Sequence, residues 1–288
     1  MTTHNTYNKS CITGMQIHVN SNSIDLIFTD PPYGIEGDKL DVVYHRDESN
    51  VVAGYIDIPL DKYKQFSIDW INECARVLRP GGSIYIVSGY TNLHHILNAL
   101  HSSGLKEVSH IIAKYTFGVN ASKKWVSSHY HVLFWEKPSK GNQKRTFNTL
   151  CKFTDNKDSY NDRLTVQDMP RDYKPGQIKN KNQLSEEFIE KFIRYSSNRG
   201  DTVLDCFGGG FTTGRTALRW GRNFVGFELN KLAYDEFVPT LENVQEIQDP
   251  VPIEPDAKEL EKRNKMREGW RNDRTKRKQQ NISSDLFE

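Results

Sequence analysis

The chain has no apolar run close to the ~20 residues that a membrane-spanning helix needs. Its mean hydropathy is −0.70, so the expectation is a protein that does not enter a membrane. Cysteine is scarce: Cys11, Cys74, Cys151 and Cys206 are the only four, and no two stand in C-x-x-C spacing. No H-E-x-x-H and no Cys/His cluster exists, so no metal site is expected. Sparse, scattered thiols fit a reducing cytoplasm, where they act as packing groups. The opening stretch MTTHNTYNKS lacks the charged-then-apolar pattern of a secretory signal. Neither charge sign dominates, with 39 Lys and Arg against 37 Asp and Glu. A balance this close leaves distribution, not total, to decide about polyanionic partners.

What is present is an α/β rhythm. Ile24 to Thr29 (IDLIFT) is a short apolar run ended by prolines, hence a buried strand. Asp61 to Leu78 repeats apolar residues at helical spacing, and Pro80-Gly81-Gly82 is expected to stop that helix. Strands are predicted at 83–88, 106–117 and 129–135, and a helix at 92–101. After an irregular stretch the rhythm returns. Ser185 is a good N-cap for a helix to Tyr195, followed by a strand at 201–205, a helix at 213–220, a strand at 223–228 and a helix over 232–247. Strand and helix in alternation predict a mostly parallel sheet with helices on both faces.

The chain divides into four zones: 1–138, an insert at 139–181, 182–249, and a tail at 250–288. The insert interleaves cations such as Lys140, Lys144, Arg145, Arg163 and Arg171 with Phe147, Phe153, Tyr160 and Tyr173. The tail holds ten Lys or Arg against five Asp or Glu between 256 and 281. Its simplest reading is a solvated charged helix, with phosphate contact as the functional alternative.

Two loops carry chemistry. Asp30-Pro31-Pro32-Tyr33 follows a buried strand. The prolines stiffen it and remove N–H donors, leaving carbonyl and carboxylate acceptors beside a flat ring. That combination suits a planar group bearing an amino substituent, such as a nucleobase. The second loop, Asp205-Cys206-Phe207-Gly208-Gly209-Gly210-Phe211-Thr212, lies between a strand and a helix. It is not the dinucleotide fingerprint, because the last glycine would fall on Thr213. It misses the phosphate-binding loop of triphosphatases by one residue, with Arg215 where Lys belongs. A third reading is a small adenosine-bearing cofactor, with Glu228 at the next strand end accepting ribose hydroxyls. In an open α/β sheet both loops face one pocket if their strands are neighbours.

At these residues the sequence resembles the S-adenosylmethionine-dependent amino-methyltransferases of DNA. With DPPY first, the cofactor loop last and an irregular insert between, it is most similar to their β group, such as the adenine-N6 enzymes of restriction–modification systems. The similarity runs over roughly 8–138 and 177–247. It implies a doubly wound, mostly parallel, seven-stranded Rossmann-like methyltransferase sheet. It implies S-adenosylmethionine as cofactor and double-stranded DNA as partner, and it allows a homodimer and a cognate restriction endonuclease. Asp30, Pro31, Pro32 and Tyr33 become the catalytic set. Asp205, Phe207, Gly208, Gly210 and Thr212 would surround the methionine part, and Glu228 would take the ribose. The insert stands where the family reads its target. Departures are Phe211 in place of the glycine before the threonines, and Lys181-Asn182-Gln183 in place of a Lys-Pro pair. A bulky Phe211 is expected to alter the methionine end of the pocket.

The chemistry expected is direct methylation of adenine N6, with no covalent adduct. Cytosine N4 is the near alternative, because the pocket chemistry is the same; a catalytically dead DNA-binding paralogue is the alternative of another class. The segment 35–60, with Lys39, His45 and Arg46, is expected to close over the base.

Overall fold

The computed structural model describes residues 2–34, 56–116, 122–139, 143–149, 161–170 and 183–248, with four isolated positions beyond them. Eight strands form one sheet: β1 (His4–Tyr7), β2 (Ile24–Thr29), β3 (Leu78–Ser88), β4 (Lys106–Lys114), β5 (His129–Glu136), β6 (Val166–Asp168), β7 (Thr202–Asp205) and β8 (Asn223–Phe227). Their spatial order is β1-β8-β7-β2-β3-β5-β4-β6. All neighbours are parallel except β5, which runs antiparallel to β3 and to β4. The helices are α1 (Cys11–His18), α2 (Leu60–Val77), α3 (Leu93–Ser102), α4 (Glu186–Ser196), α5 (Thr212–Arg219) and α6 (Lys231–Phe237).

Period-two alternation assigns each strand's side chains to one of two cores. Ile27, Ile84, Leu133 and Leu204 face α1, α2 and α3 together with Trp70, Ile71 and Leu100. Leu26, Phe28, Tyr85, Phe134 and Val203 face α4, α5 and α6 together with Phe188, Phe192 and Leu218. Both faces of the central strands are therefore dry, which is why they read as unbroken apolar runs. The doubly wound sheet is as expected, with eight strands rather than seven.

The differences have local causes. β6 belongs to the stretch predicted to be irregular; it pairs with β4 from Ile112↔Val166 to Lys114↔Asp168. Asn148, also in that stretch, donates to the carbonyls of Arg194 and Ser197 at the end of α4. Part of the insert is thus packed onto the domain. Pro80-Gly81-Gly82 does not follow a helix end as a loop. It forms an irregularity inside β3, where pairing with β2 jumps from Ile24↔Leu78 to Leu26↔Ser83. Helix α6 ends at Phe237 instead of near 247. Pro239 lacks the N–H that a continuing helix needs, and the chain tightens into a 3-10 turn, Val238–Leu241. Among the described helices none is long and apolar enough to cross a membrane. Cys11, Cys74 and Cys206 are buried side by side, with 3.4 Å between the sulfurs of Cys74 and Cys206. Burial raises all three thiols above their ordinary range, so they stay protonated as packing groups. Cys151 lies outside the described residues.

Candidate active site

Strands β2 and β7 are neighbours, paired at Leu26↔Val203 and Ile27↔Leu204. From the tip of β2 the chain returns through α2 to β3; from the tip of β7 it returns through α5 to β8 on the other side. The two loops part in opposite directions, and the crevice between them is where an open parallel sheet binds ligands. All ten residues singled out above line that one cavity: Asp30, Pro31, Pro32, Tyr33, Asp205, Phe207, Gly208, Gly210, Thr212 and Glu228.

The join is a residue the sequence pattern does not flag. Thr29, fully buried, donates from Oγ1 to Asp205 Oδ1 (2.8 Å) and accepts from the Cys206 N–H (3.2 Å). One hydroxyl therefore ties the last residue of β2 to the acid that opens the glycine loop. Asp205 also accepts from the Phe207 N–H (3.1 Å). Burial still pushes its carboxyl up to about 6, with Glu228's charge adding to the rise. Glu228 accepts from the N–H groups of Gly209 and Asn230, each at 2.6 Å, which positions it at the tip of β8. Burial raises its carboxyl as well. Asp30 accepts the Tyr33 hydroxyl at Oδ1 (2.7 Å). Burial moves its carboxyl up to about 7; the Tyr33 bond opposes the rise and the charge of Asp205 assists it.

The DPPY segment is held from three sides. Tyr63 of α2 donates to the Pro32 carbonyl (2.8 Å). Asn92, ahead of α3, donates from Nδ2 to the carbonyls of Tyr33 (2.6 Å) and Gly34 (3.2 Å). Asp57 accepts the Gly34 N–H (2.7 Å). Gly34 takes φ +64°, and a Cβ there would stand 2.6 Å from the Tyr63 ring, so no other residue fits. Tyr63, Asn92 and Asp57 carry no sequence signal for this role; Tyr63 reads only as part of an apolar stripe. Asn92→Leu removes both bonds while preserving volume. The expected result is a 10- to 100-fold fall in turnover, an order-of-magnitude figure for loss of a supporting shell, with cofactor affinity unchanged. Single-turnover rates and cofactor titration read the two separately.

One expectation is corrected here. The Phe211 ring is not at the methionine end of the pocket. It is fully buried in the second core, edge-on to Phe224 and Tyr234 at 6.2 and 6.0 Å. A Cβ on Gly208 would meet that ring at 2.8 Å, so this glycine makes room for Phe211 as well as for a ligand. Arg215, the residue by which this loop departs from a phosphate-binding loop, has a structural role. It donates to Glu186 (3.2 Å), to the Gly210 carbonyl (2.5 Å) and to Thr240 (3.2 Å), clamping the loop. Segment 35–55, with Lys39, His45 and Arg46, and most of the insert's cations lie outside the described residues.

The electrostatics narrow the ligand class. Among the described residues, the charged groups on the cavity wall are Asp30, Asp205 and Glu228, against Lys9. Three acids against one lysine disfavour a triphosphate. They favour a ligand that brings a cation and hydroxyl donors.

A family model described as DNA methylase matches residues 24–238. The chain belongs to that family. The resemblance to DNA amino-methyltransferases is thereby borne out. Among its relatives, DNA adenine methyltransferase YhdJ of Escherichia coli (strain K12) is 33% identical over 235 residues, covering 72% of each chain. Type II methyltransferase M.BamHI of Bacillus amyloliquefaciens is 28% identical over 243 residues, 77% of this chain but 54% of that protein. The chain thus spans about half of that relative's length. Among solved structures, the M1.HpyAVI–SAM complex has a TM-score of 0.59 at 21% identity, over 83% of this chain and 99% of that one. It shares the fold of this family member.

Proposed function

We propose that this chain transfers a methyl group from S-adenosylmethionine to the exocyclic N6 of adenine in double-stranded DNA. One observation carries the reading: an acceptor-rich DPPY turn and an acid-flanked glycine loop line the same cavity, tied at their roots by Thr29. S-adenosylmethionine, when bound, supplies an electrophilic methyl on a positive sulfur. The acidic wall suits that cation, and the glycine loop gives backbone the close approach it needs. Asp205, Phe207, Gly208, Gly210 and Thr212 hold the methionine part, and Glu228 the ribose. The name of YhdJ, an adenine methyltransferase, supports adenine over cytosine.

The chain's own residues do the rest. An adenine amine is a poor nucleophile, because its lone pair is delocalised into the ring. Asp30 and the Pro31 carbonyl accept its two hydrogens and draw nitrogen toward a tetrahedral form. The Asp30 charge stabilises the positive charge that develops on nitrogen. A carboxyl raised to about 7 is matched to take up the released proton near neutral pH. Tyr33 gives the extruded base a stacking surface. Fixing the amine by these contacts supplies up to about 7–11 kcal/mol in well-oriented reactions, against a few kcal/mol to extrude the base.

In this reading residues 1–138 form the catalytic half and 182–249 the cofactor half. The insert at 139–181 reads target sequence, and the tail at 250–288 adds phosphate contact. The test is base composition of DNA from a host that expresses the chain. N6-methyladenine is expected. N4-methylcytosine would move the target to the other amino base, and neither product would mark a binding paralogue. Motif sequencing of the same DNA gives the recognition site.

A further inference from the structure

Trp125 is 98% exposed, the most exposed of the large apolar side chains among the described residues. A bare indole is the costliest of such groups to leave in water, and its setting says what covers it. It sits in the segment 122–128 between β4 and β5, where every residue is exposed and Lys123 and Lys124 immediately precede it. β4 runs antiparallel to β5, which runs antiparallel to β3. β4 therefore ends at the same sheet edge as β2 and β7, the edge that bears the cavity.

The loop is anchored toward that cavity. The Tyr115 N–H donates to the Ser128 carbonyl (2.8 Å), and the Tyr115 hydroxyl lies 3.1 Å from Ser127 Oγ. The Tyr115 ring stands 5.0 Å from Tyr130, and Tyr130 stands 6.0 Å from Tyr33. A file of three aromatic rings thus runs from the DPPY turn to the root of the loop. Trp125 is three residues from Ser128, so its Cα is within about 11 Å of that root.

We propose that Trp125 enters the DNA duplex beside the target base and fills the gap left when that base is extruded, while Lys123 and Lys124 engage the flanking phosphates. The inference rests on the function proposed above and adds the element that opens the duplex. Extrusion loses stacking on both sides of the vacated step, and an aromatic ring inserted there restores it. Two exposed cations next to the ring complement a polyanion, which a second copy of this nearly neutral chain is not.

The test compares two duplexes bearing the methylated motif. In one the target base is paired; in the other it lies opposite an abasic site and is already loosened. The full chain with saturating S-adenosylmethionine is used throughout. Trp125→Ala is expected to methylate the paired duplex at least about tenfold more slowly, in line with the loss of one stacking contact. It is expected to approach the wild-type rate on the abasic duplex, and Trp125→Phe to retain most of the activity on both. Lys123→Ala/Lys124→Ala should reduce the slope of log affinity against log salt by roughly two. Equal rates for Trp125→Ala and wild type on the paired duplex overturn the proposal, as does an equal loss on both duplexes. Failure of the wild type to methylate either duplex overturns the underlying function and this inference with it.

Discussion

Asp30→Asn is expected to lower methylation by about 10³-fold, the size of effect that follows loss of one preorganised charge partner, and at the same time to stabilise the protein above neutral pH. The two effects share a cause. Burial raises the Asp30 carboxyl from its ordinary 3.8 to about 7. Between those values the folded chain holds a proton that the unfolded chain has released. Stability contributed by this group is therefore full at low pH and lost as pH rises through about 7. Asn keeps the shape, still accepts the Tyr33 hydroxyl through its carbonyl, and carries no charge. Urea denaturation at pH 8 is expected to show a gain of about 1–3 kcal/mol, below the full linkage value because the carboxyl is partly exposed and coupled to Asp205. At pH 4 the gain vanishes. Asp205, raised to about 6, gives the variant a residual slope of the same sign at lower pH. A variant that unfolds no later than wild type at pH 8 shows that the Asp30 charge is not strained by burial.

Phe211→Gly is expected to destabilise this chain by about 2–3 kcal/mol. Phe211 sits at φ +53°, where an L-residue costs roughly 1–2 kcal/mol relative to glycine. Removing a buried phenylalanine side chain costs about 3–5 kcal/mol. The packing loss exceeds the relieved strain. The ring also occupies the space above Gly208, so Gly208→Ala alone clashes with it. In the Phe211→Gly background that clash is gone, and the two substitutions are expected to be non-additive by more than about 0.5 kcal/mol. Chemical denaturation of the four-member cycle measures it. Additive losses place the Phe211 ring elsewhere than against Gly208.

Much of the site is legible in the sequence because its signals are local. Prolines after an apolar run, glycines after another, and an acid at a strand end need no partner to be recognised. The bounds of β2 and the Ser185 cap, whose hydroxyl accepts the Phe188 N–H, follow from the same local rules. What is not legible depends on distance along the chain. β1 reads HNTY, with no apolar pattern; it is a strand because β8 offers it a parallel edge from His4↔Phe224 to Tyr7↔Phe227. Thr29 looks like one more strand residue until Asp205, 176 positions on, is beside it. Asn92 sits 59 positions from the carbonyl it holds. The orientation of Phe211 could not be read from a loop motif, since the rings that receive it come from β8 and α6.

The electrostatic link between Asp30 and Asp205 ties occupancy of one half of the cleft to acidity in the other. On the proposed function, a sulfonium beside Asp205 would offset the charge that helps raise the Asp30 carboxyl, and Asp30 would ionise at a lower pH in the loaded protein than in the empty one. Donor loading would thereby arm the base-binding half. By reciprocity, alkaline pH would tighten the donor to the same degree.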